Sequence, residues 1–171
     1  MTEHATTPSP TYASYPSLVD RTVLITGGAD GIGAALVEQF TAQGSKVAFI
    51  DVNATRAAET IERCAADDPR HPPRFYEVDL VDIEALRSAV AQISTDLGGI
   101  TVLVNNAASD DRHSWEDMTV DYWNDRLATN LRHYFFAIQA VAPGMIAAQH
   151  GSIINIGSSS YMMQEDFFPG Y

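Results

Sequence analysis

The sequence predicts an α/β fold built on a doubly wound parallel sheet, and three features carry that prediction. From residue 22 onward, short β-branched runs alternate with amphipathic segments, the order expected of strands joined by crossover helices. The runs are almost continuously Val, Ile, Leu and Phe, which suits strands covered on both faces. The first of them, TVLIT, breaks into glycines and then restarts with helical spacing. Five strands are expected, at 22–26, 46–50, 74–79, 100–104 and 152–156. Between them, Ile32, Leu36, Val37 and Phe40 form one helical face, and Ile83, Leu86, Val90, Ile93 and Leu97 form another; both should pack on the sheet. A longer helix should start near Thr119, with Trp123, Leu127, Leu131, Tyr134 and Ile138 on one stripe as core or subunit contact, until Pro143 and Gly144 kink or end it. Residues 1–16 read as a flexible N-terminal arm ahead of a single domain over 17–171.

A chain of 171 residues can bury about two thirds of its unfolded surface in one core. Its formal net charge is −12, and nine of its ten cations are dispersed arginines, so no basic stripe exists to meet nucleic acid or an anionic membrane. The single cysteine, Cys64, has no internal disulfide partner and no metal-ligand spacing around it, which leaves helix packing as its expected role. The N-terminus lacks the basic start and apolar stretch of a signal peptide, and no run approaches a membrane span; the expected setting is the cytoplasm.

The turn GGADGIG at 27–33 is the first chemical signal. Glycine lets the main chain approach a pyrophosphate, and the N-terminus of the helix that follows offers unpaired N–H groups and the positive end of a dipole. An ordinary strand-to-helix turn is the plain alternative. The second run, KVAFI, leads into Asp51, 18 residues past Gly33, where a dinucleotide fold places the acid that accepts hydrogen bonds from the adenosine ribose. A 2′-phosphate there would meet a carboxylate, so the cofactor is read as NAD.

With Thr26 the turn becomes TGxxxGxG, and the chain resembles the short-chain dehydrogenase/reductase family. The resemblance implies a Rossmann sheet that is incomplete at the C-terminal side, and cofactor contacts from Thr26, Gly27, Asp30, Gly31, Ile32 and Gly33 on the first turn. Asp30 stands where NADP-binding members would be expected to offer an arginine or lysine. It further implies that Asp79 and Leu80 meet the adenine, and that Asn106 and Ala107, from a turn similar to the family's NNAG, line the nicotinamide side. Ala108 takes the place of that motif's glycine, which would add strain of about 1 kcal/mol if the backbone there required positive φ. Ser158 and Tyr171 stand at the family's serine-to-tyrosine offset, with Tyr171 the implied base, Ser158 the holder of the substrate oxygen and Asn130 the support of a water relay. In the family a lysine one helical turn past the tyrosine favours the phenolate. The only lysine here is Lys46, at the start of the second strand, so the sequence reads as a fragment of weak or no activity.

The stretches NNAASDDRH, YWNDRL and NLRHYFFAIQAVAPGM narrow the resemblance to NAD-dependent aldose dehydrogenases, D-xylose 1-dehydrogenases in particular. That implies oxidation of an anomeric hydroxyl to a lactone, with Asp110, Arg112, His113 and Glu165 as candidate sugar ligands alongside Asp111, Gln164 and Asp166. For each, a solvated loop side chain is the plain alternative. A metal at Asp110, Asp111 and His113 is not expected, because hydride transfer needs no ion. Two other readings stay open: a dehydrogenase of another secondary alcohol, of hydroxysteroid or hydroxyacyl type, suggested by Met162, Met163, Phe167 and Phe168, and a non-catalytic NAD-binding module. Relatives usually associate through the long helix, which implies a homo-oligomer for the full-length protein.

Overall fold

The computed structural model describes residues 13–162. Five parallel strands alternate with helices: β1 Thr22–Thr26, α1 Gly31–Ala42, β2 Lys46–Asp51, α2 Ala54–Ala65, β3 Arg74–Glu77, α3 Ile83–Leu97, β4 Val102–Asn105, α4 Val120–Leu127, α5 His133–Ala147 and β5 Ser152–Asn155. The strand order is β3-β2-β1-β4-β5. The chain thus winds outward from β1 in one direction and then in the other, and the reversal between β1 and β4 opens a crevice at the carboxyl ends of the strands. The starts of α1 to α4 carry caps supplied by the sequence. Asp30, Asn53, Asp82 and Thr119 accept hydrogen bonds from the first-turn N–H groups of α1, α2, α3 and α4 respectively.

Alternation along the strands divides the core into two layers. Leu24, Ile50 and Leu103 pack with Leu86, Val90 and Ile93 of α3 and with Ala137, Val141 and Met145 of α5. On the opposite face Val23, Ile25, Val47, Phe49, Val102 and Val104 meet Val37 of α1 and Ala57 and Cys64 of α2. Cys64 is buried helix packing, as its sequence setting suggests.

Several expectations are corrected. Strand β3 ends at Glu77, and β4 runs two positions later than expected at its start, from Val102 to Asn105. Ile32 leaves the sheet-packing face of α1 and is exposed, because the first helical turn projects beyond the sheet over the crevice. Strand β5 is not covered on both faces: all four of its residues are exposed, and among the described residues only β4 pairs with it. The long helix is not ended by Pro143, which lies inside α5; a proline there removes one backbone hydrogen bond while the packed turns on either side persist. The stripe of that helix is no part of this chain's core over its first half, since Trp123, Leu127 and Leu131 are exposed, as is Phe135. Of residues 1–16, those from 1 to 12 lie outside the described residues. Gln43, at the end of α1, hydrogen-bonds both Tyr15 N–H and the Ala13 carbonyl.

Helices α4 and α5 are one continuous helix interrupted by a π turn at Ala128–Arg132. His133 follows it directly, is fully buried, and has no hydrogen-bond partner for either ring nitrogen among the described residues. Burial pushes its pKa down to about 4, and the carbonyls of Ala128 and Thr129 offset that only in part. A neutral imidazole in the folded state contributes stability above its unfolded pKa near 6.5, and the contribution is lost as the pH falls towards 4, to a limit of about 3 kcal/mol. Denaturant midpoints taken at neutral pH and near pH 4.5 should therefore fall further for the native chain than for His133→Leu. Equal falls would show that this imidazole is not the group being charged.

Candidate active site

Three glycine-turn features shape the crevice floor. Gly27 has φ +68°, and a Cβ there would lie 2.7 Å from Ala107 Cα. Gly33 sits so close to the turn that its Cβ would lie 1.7 Å from the Gly27 carbonyl oxygen. Asp30 caps α1 through Gly31 N–H at 2.7 Å, and the N–H groups of Gly27 and Gly28 donate to the Ile50 carbonyl, which leaves those of Ile32 and Gly33 in the first turn of α1 to meet an anion. This is the cradle a bound pyrophosphate needs, and a methyl group would fill it.

Asp51, at the end of β2, braces the turn. One carboxylate oxygen accepts from Ala29 N–H at 3.0 Å and the other from Asn53 N–H at 3.0 Å. Asn106 ties β4 to β1: its side-chain amide donates to the carbonyls of Thr26 and Gly27, and its own N–H and that of Ala107 donate to Thr26 Oγ1. Thr26 is fully buried and does not line the crevice; it positions the two turns that do. Ala108 does not have a positive φ, so the alanine in place of glycine brings no backbone strain.

The resulting cleft has a volume of about 680 Å³. Gly27, Asp30, Gly31, Ile32 and Gly33 form one wall, and Asp51, Asp79 and Leu80 another. Asn106, Ala107, Ala108, Ser109 and Asp110 close it from the side of β4. Ten of the eleven expected cofactor residues thus meet at one cavity. Val52, Val78, Val81 and Ile156 also line it and were not singled out from the sequence. The first three are apolar neighbours of the strand-end acids Asp51 and Asp79, a signal that was present in the sequence.

A second cavity of about 290 Å³ shares the walls Ala108 and Ile156 with the first, so the two adjoin at those residues. Asn130, Tyr134, Ser158 and Ser160 line it. Asn130 lies in the π turn, and its side chain grips the backbone of Ser109 twice, accepting from the N–H at 2.8 Å and donating to the carbonyl at 3.1 Å. A π turn inside a helix is frequent at functional sites, because it re-aims side chains and frees backbone groups. Ser158 Oγ accepts from Ser160 N–H at 3.1 Å and also contacts Ser160 Oγ. Tyr171 and Glu165, with Gln164 and Asp166, lie outside the described residues.

Of the expected sugar ligands, Asp110 is on the cleft wall, while Arg112 and His113 are not among the described walls of either cavity. His113 Nδ1 is engaged by the Asp111 carbonyl at 2.8 Å and the Tyr122 hydroxyl at 3.1 Å. Asp111 is paired with Arg126, which sequence reasoning passed over as one dispersed arginine among nine.

Known proteins resemble this chain in sequence and in fold. A D-xylose 1-dehydrogenase of Caulobacter vibrioides is 45% identical over 149 residues, covering 87% of this chain and 58% of that protein. A Rhizobium meliloti protein bearing the name "Probable galactose dehydrogenase GalD" is 45% identical over 159 residues, covering 93% of this chain and 62% of its own length. The chain therefore spans about three fifths of the curated relatives it matches. Among solved structures, a metagenomic short-chain oxidoreductase in complex with NADP aligns with a TM-score of 0.77 and 28% identity, over 83% of this chain and 64% of that one. The family model described as short chain dehydrogenase matches residues 21–171, and the chain belongs to that family.

Proposed function

We propose that the protein oxidises the anomeric hydroxyl of an aldose, xylose-like in class, to a lactone, with NAD as hydride acceptor. The observation that carries this is the adjacency of the two cavities: the glycine cradle and Asp51 line one, Ser158 and Asn130 the other, and Ala108 and Ile156 are walls of both. Relatives named for galactose and D-xylose favour a sugar. NAD bound there supplies an electrophilic ring carbon that accepts hydride.

The chain's own groups do the rest. Ser158 holds the hydroxyl oxygen of the substrate, and Tyr171 takes the proton from that hydroxyl as the C–H electron pair leaves. Asn130 supports the path by which the proton leaves the site. Asp110, Arg112, His113 and Glu165 are the sugar ligands in this reading. A phenol whose ordinary pKa is about 10 is a poor base at neutral pH without a nearby cation. Lys46 sits at the far end of β2 from the cleft and does not supply that cation.

NAD is favoured over NADP because Asp51 and Asp30 both line the cleft, and their charge opposes a 2′-phosphate. Arg56, beside Asp30, is shared between Asp30 at 3.6 Å and Glu59 at 2.9 Å. A cytoplasmic setting fits a nicotinamide-linked sugar oxidation, and no helix of the described residues is long and apolar enough to cross a membrane. The exposed Trp123, Leu127, Leu131 and Phe135 on the long helix favour self-association of the full-length protein, which sedimentation would report.

The test is NADH formation against a panel of aldoses and apolar secondary alcohols, run on the chain and on a version extended to the length of the curated relatives it matches. At least one aldose should exceed every apolar alcohol in kcat/KM by about tenfold or more. The exposed Met162 beside Ser160 favours the apolar class, and preference for those alcohols would replace the sugar reading. Saturable NAD binding without turnover of any substrate by the extended version would leave the non-catalytic module.

A further inference from the structure

Arg126 is a charged residue of the long helix, yet its side chain is only 12% exposed. Its guanidinium donates to Ser109 Oγ at 2.7 Å, to Asp111 Oδ2 at 3.2 Å and to Asp125 Oδ2 at 2.6 Å, and lies 5.1 Å from the centre of the Tyr122 ring. Its Nε is buried without a hydrogen-bond partner among the described residues. Such burial of a cation is tolerated only where it is paired and where its geometry is fixed.

What it holds is the connection from β4 to α4. Residues 106–119 contain no strand or helix, so they need side-chain ties to keep a position. Ser109 and Asp110 within them line the cleft. Arg126 and Asn130 are four positions apart and therefore lie on one face of the helix. Asn130 fixes the backbone of Ser109 through both its N–H and its carbonyl, and Arg126 fixes the same residue through its hydroxyl. Through Asp111 and Tyr122, Arg126 extends the hold to His113, whose Nδ1 meets the Tyr122 hydroxyl.

We infer that Arg126 is a positioning residue: it clamps Ser109–His113 against the long helix, and so sets where Asp110 stands on the wall of the larger cavity, two residues from the shared wall Ala108, and how tightly a polyhydroxylated substrate is held. The inference rests on the reading of that part of the cleft as the substrate site, but the clamp itself is a property of the chain alone. Removing the cation would leave Asp111 and Asp125 uncompensated beside Asp110, and like charges would drive the loop outward. A lysine restores the charge but not the fork that reaches three oxygens at once.

The experiment compares the native chain with Arg126→Met and Arg126→Lys by hydrogen exchange, NAD titration and kinetics on the extended version. In Arg126→Met, exchange across residues 107–113 should rise about tenfold while that of residues 22–33 stays put, with Arg126→Lys between the two. The substrate KM should rise about tenfold, with kcat and NAD affinity within about threefold of native. Unchanged exchange at 107–113 in Arg126→Met, or a loss of protection spread over the whole chain that Arg126→Lys does not reverse, overturns the proposal. Should Arg126→Met not fold, Ser109→Ala and Arg126→Lys carry the same test, each expected to loosen 107–113 by about threefold, and no change in either overturns it. If no aldose is oxidised, the substrate reading fails while the exchange result still decides the clamp.

Discussion

Gly33→Ala is expected to abolish dinucleotide binding, weakening it by about a hundredfold or more, or ~2.8 kcal/mol. The added methyl would stand 1.7 Å from the Gly27 carbonyl oxygen and 2.8 Å from Asn106 Nδ2. The nearest of these atoms is backbone, and it belongs to Gly27, where an added Cβ would itself stand only 2.7 Å from Ala107 Cα, so the turn has little room to retreat. The turn must therefore open, and the N–H groups that would meet a pyrophosphate move with it. Gly99 is the control. Nothing lies within 4 Å of a Cβ there, and the residue is no wall of the cleft. Gly99→Ala should thus leave NAD affinity within about twofold of native. Calorimetric titration of both variants with NAD checks the contrast. Native-like affinity in Gly33→Ala would mean that the turn is not the phosphate seat.

Ser158→Ala is expected to lower kcat of the extended version by about 10²- to 10⁴-fold with little change in melting temperature. Ser158 is exposed to the smaller cavity rather than packed in the core, so loss of its hydroxyl leaves the packed core intact. Its neighbour Ser160 lines the same cavity, and geometry alone does not separate the two hydroxyls. Their hydrogen bonding does suggest different tasks. Ser160 donates its backbone N–H to Ser158 Oγ, a bond that survives replacement of the Ser160 side chain. Ser160→Ala should therefore reduce kcat by no more than about tenfold. A larger loss in Ser160→Ala than in Ser158→Ala would transfer the role to Ser160.

Much of this architecture could be read in advance where local and tertiary demands coincide. The run Thr22–Thr26 is buried at every position, so its composition announced a central strand without error at either end. Gly27, Gly31 and Asp51 were legible because the turn and the strand end demand particular residue types. The π turn was not legible, since Ala128–Arg132 has the composition of ordinary helix and only packing reveals the extra residue. Nor was the exposure of Ile153, Ile154 and Leu131, because apolar periodicity marks a face to be covered without saying by what. Arg126 escaped notice for a related reason: an isolated cation on a helix reads as a solvated charge, and its four-residue spacing from Asn130 has meaning only once Ser109 is known to lie beneath both.

The central claim, that a nicotinamide dinucleotide lies across the carboxyl ends of β1, β2 and β4, is tested most directly by backbone amide chemical shifts during titration of the chain with NAD. Saturable shifts should appear at Gly27–Gly33, at Asp51 and Val52, at Asp79–Val81 and at Asn106–Asp110, and should leave the lower ends of the strands at Thr22, Lys46 and Val102 undisturbed. An absence of saturable shifts, or shifts confined to surfaces away from these turns, would contradict it.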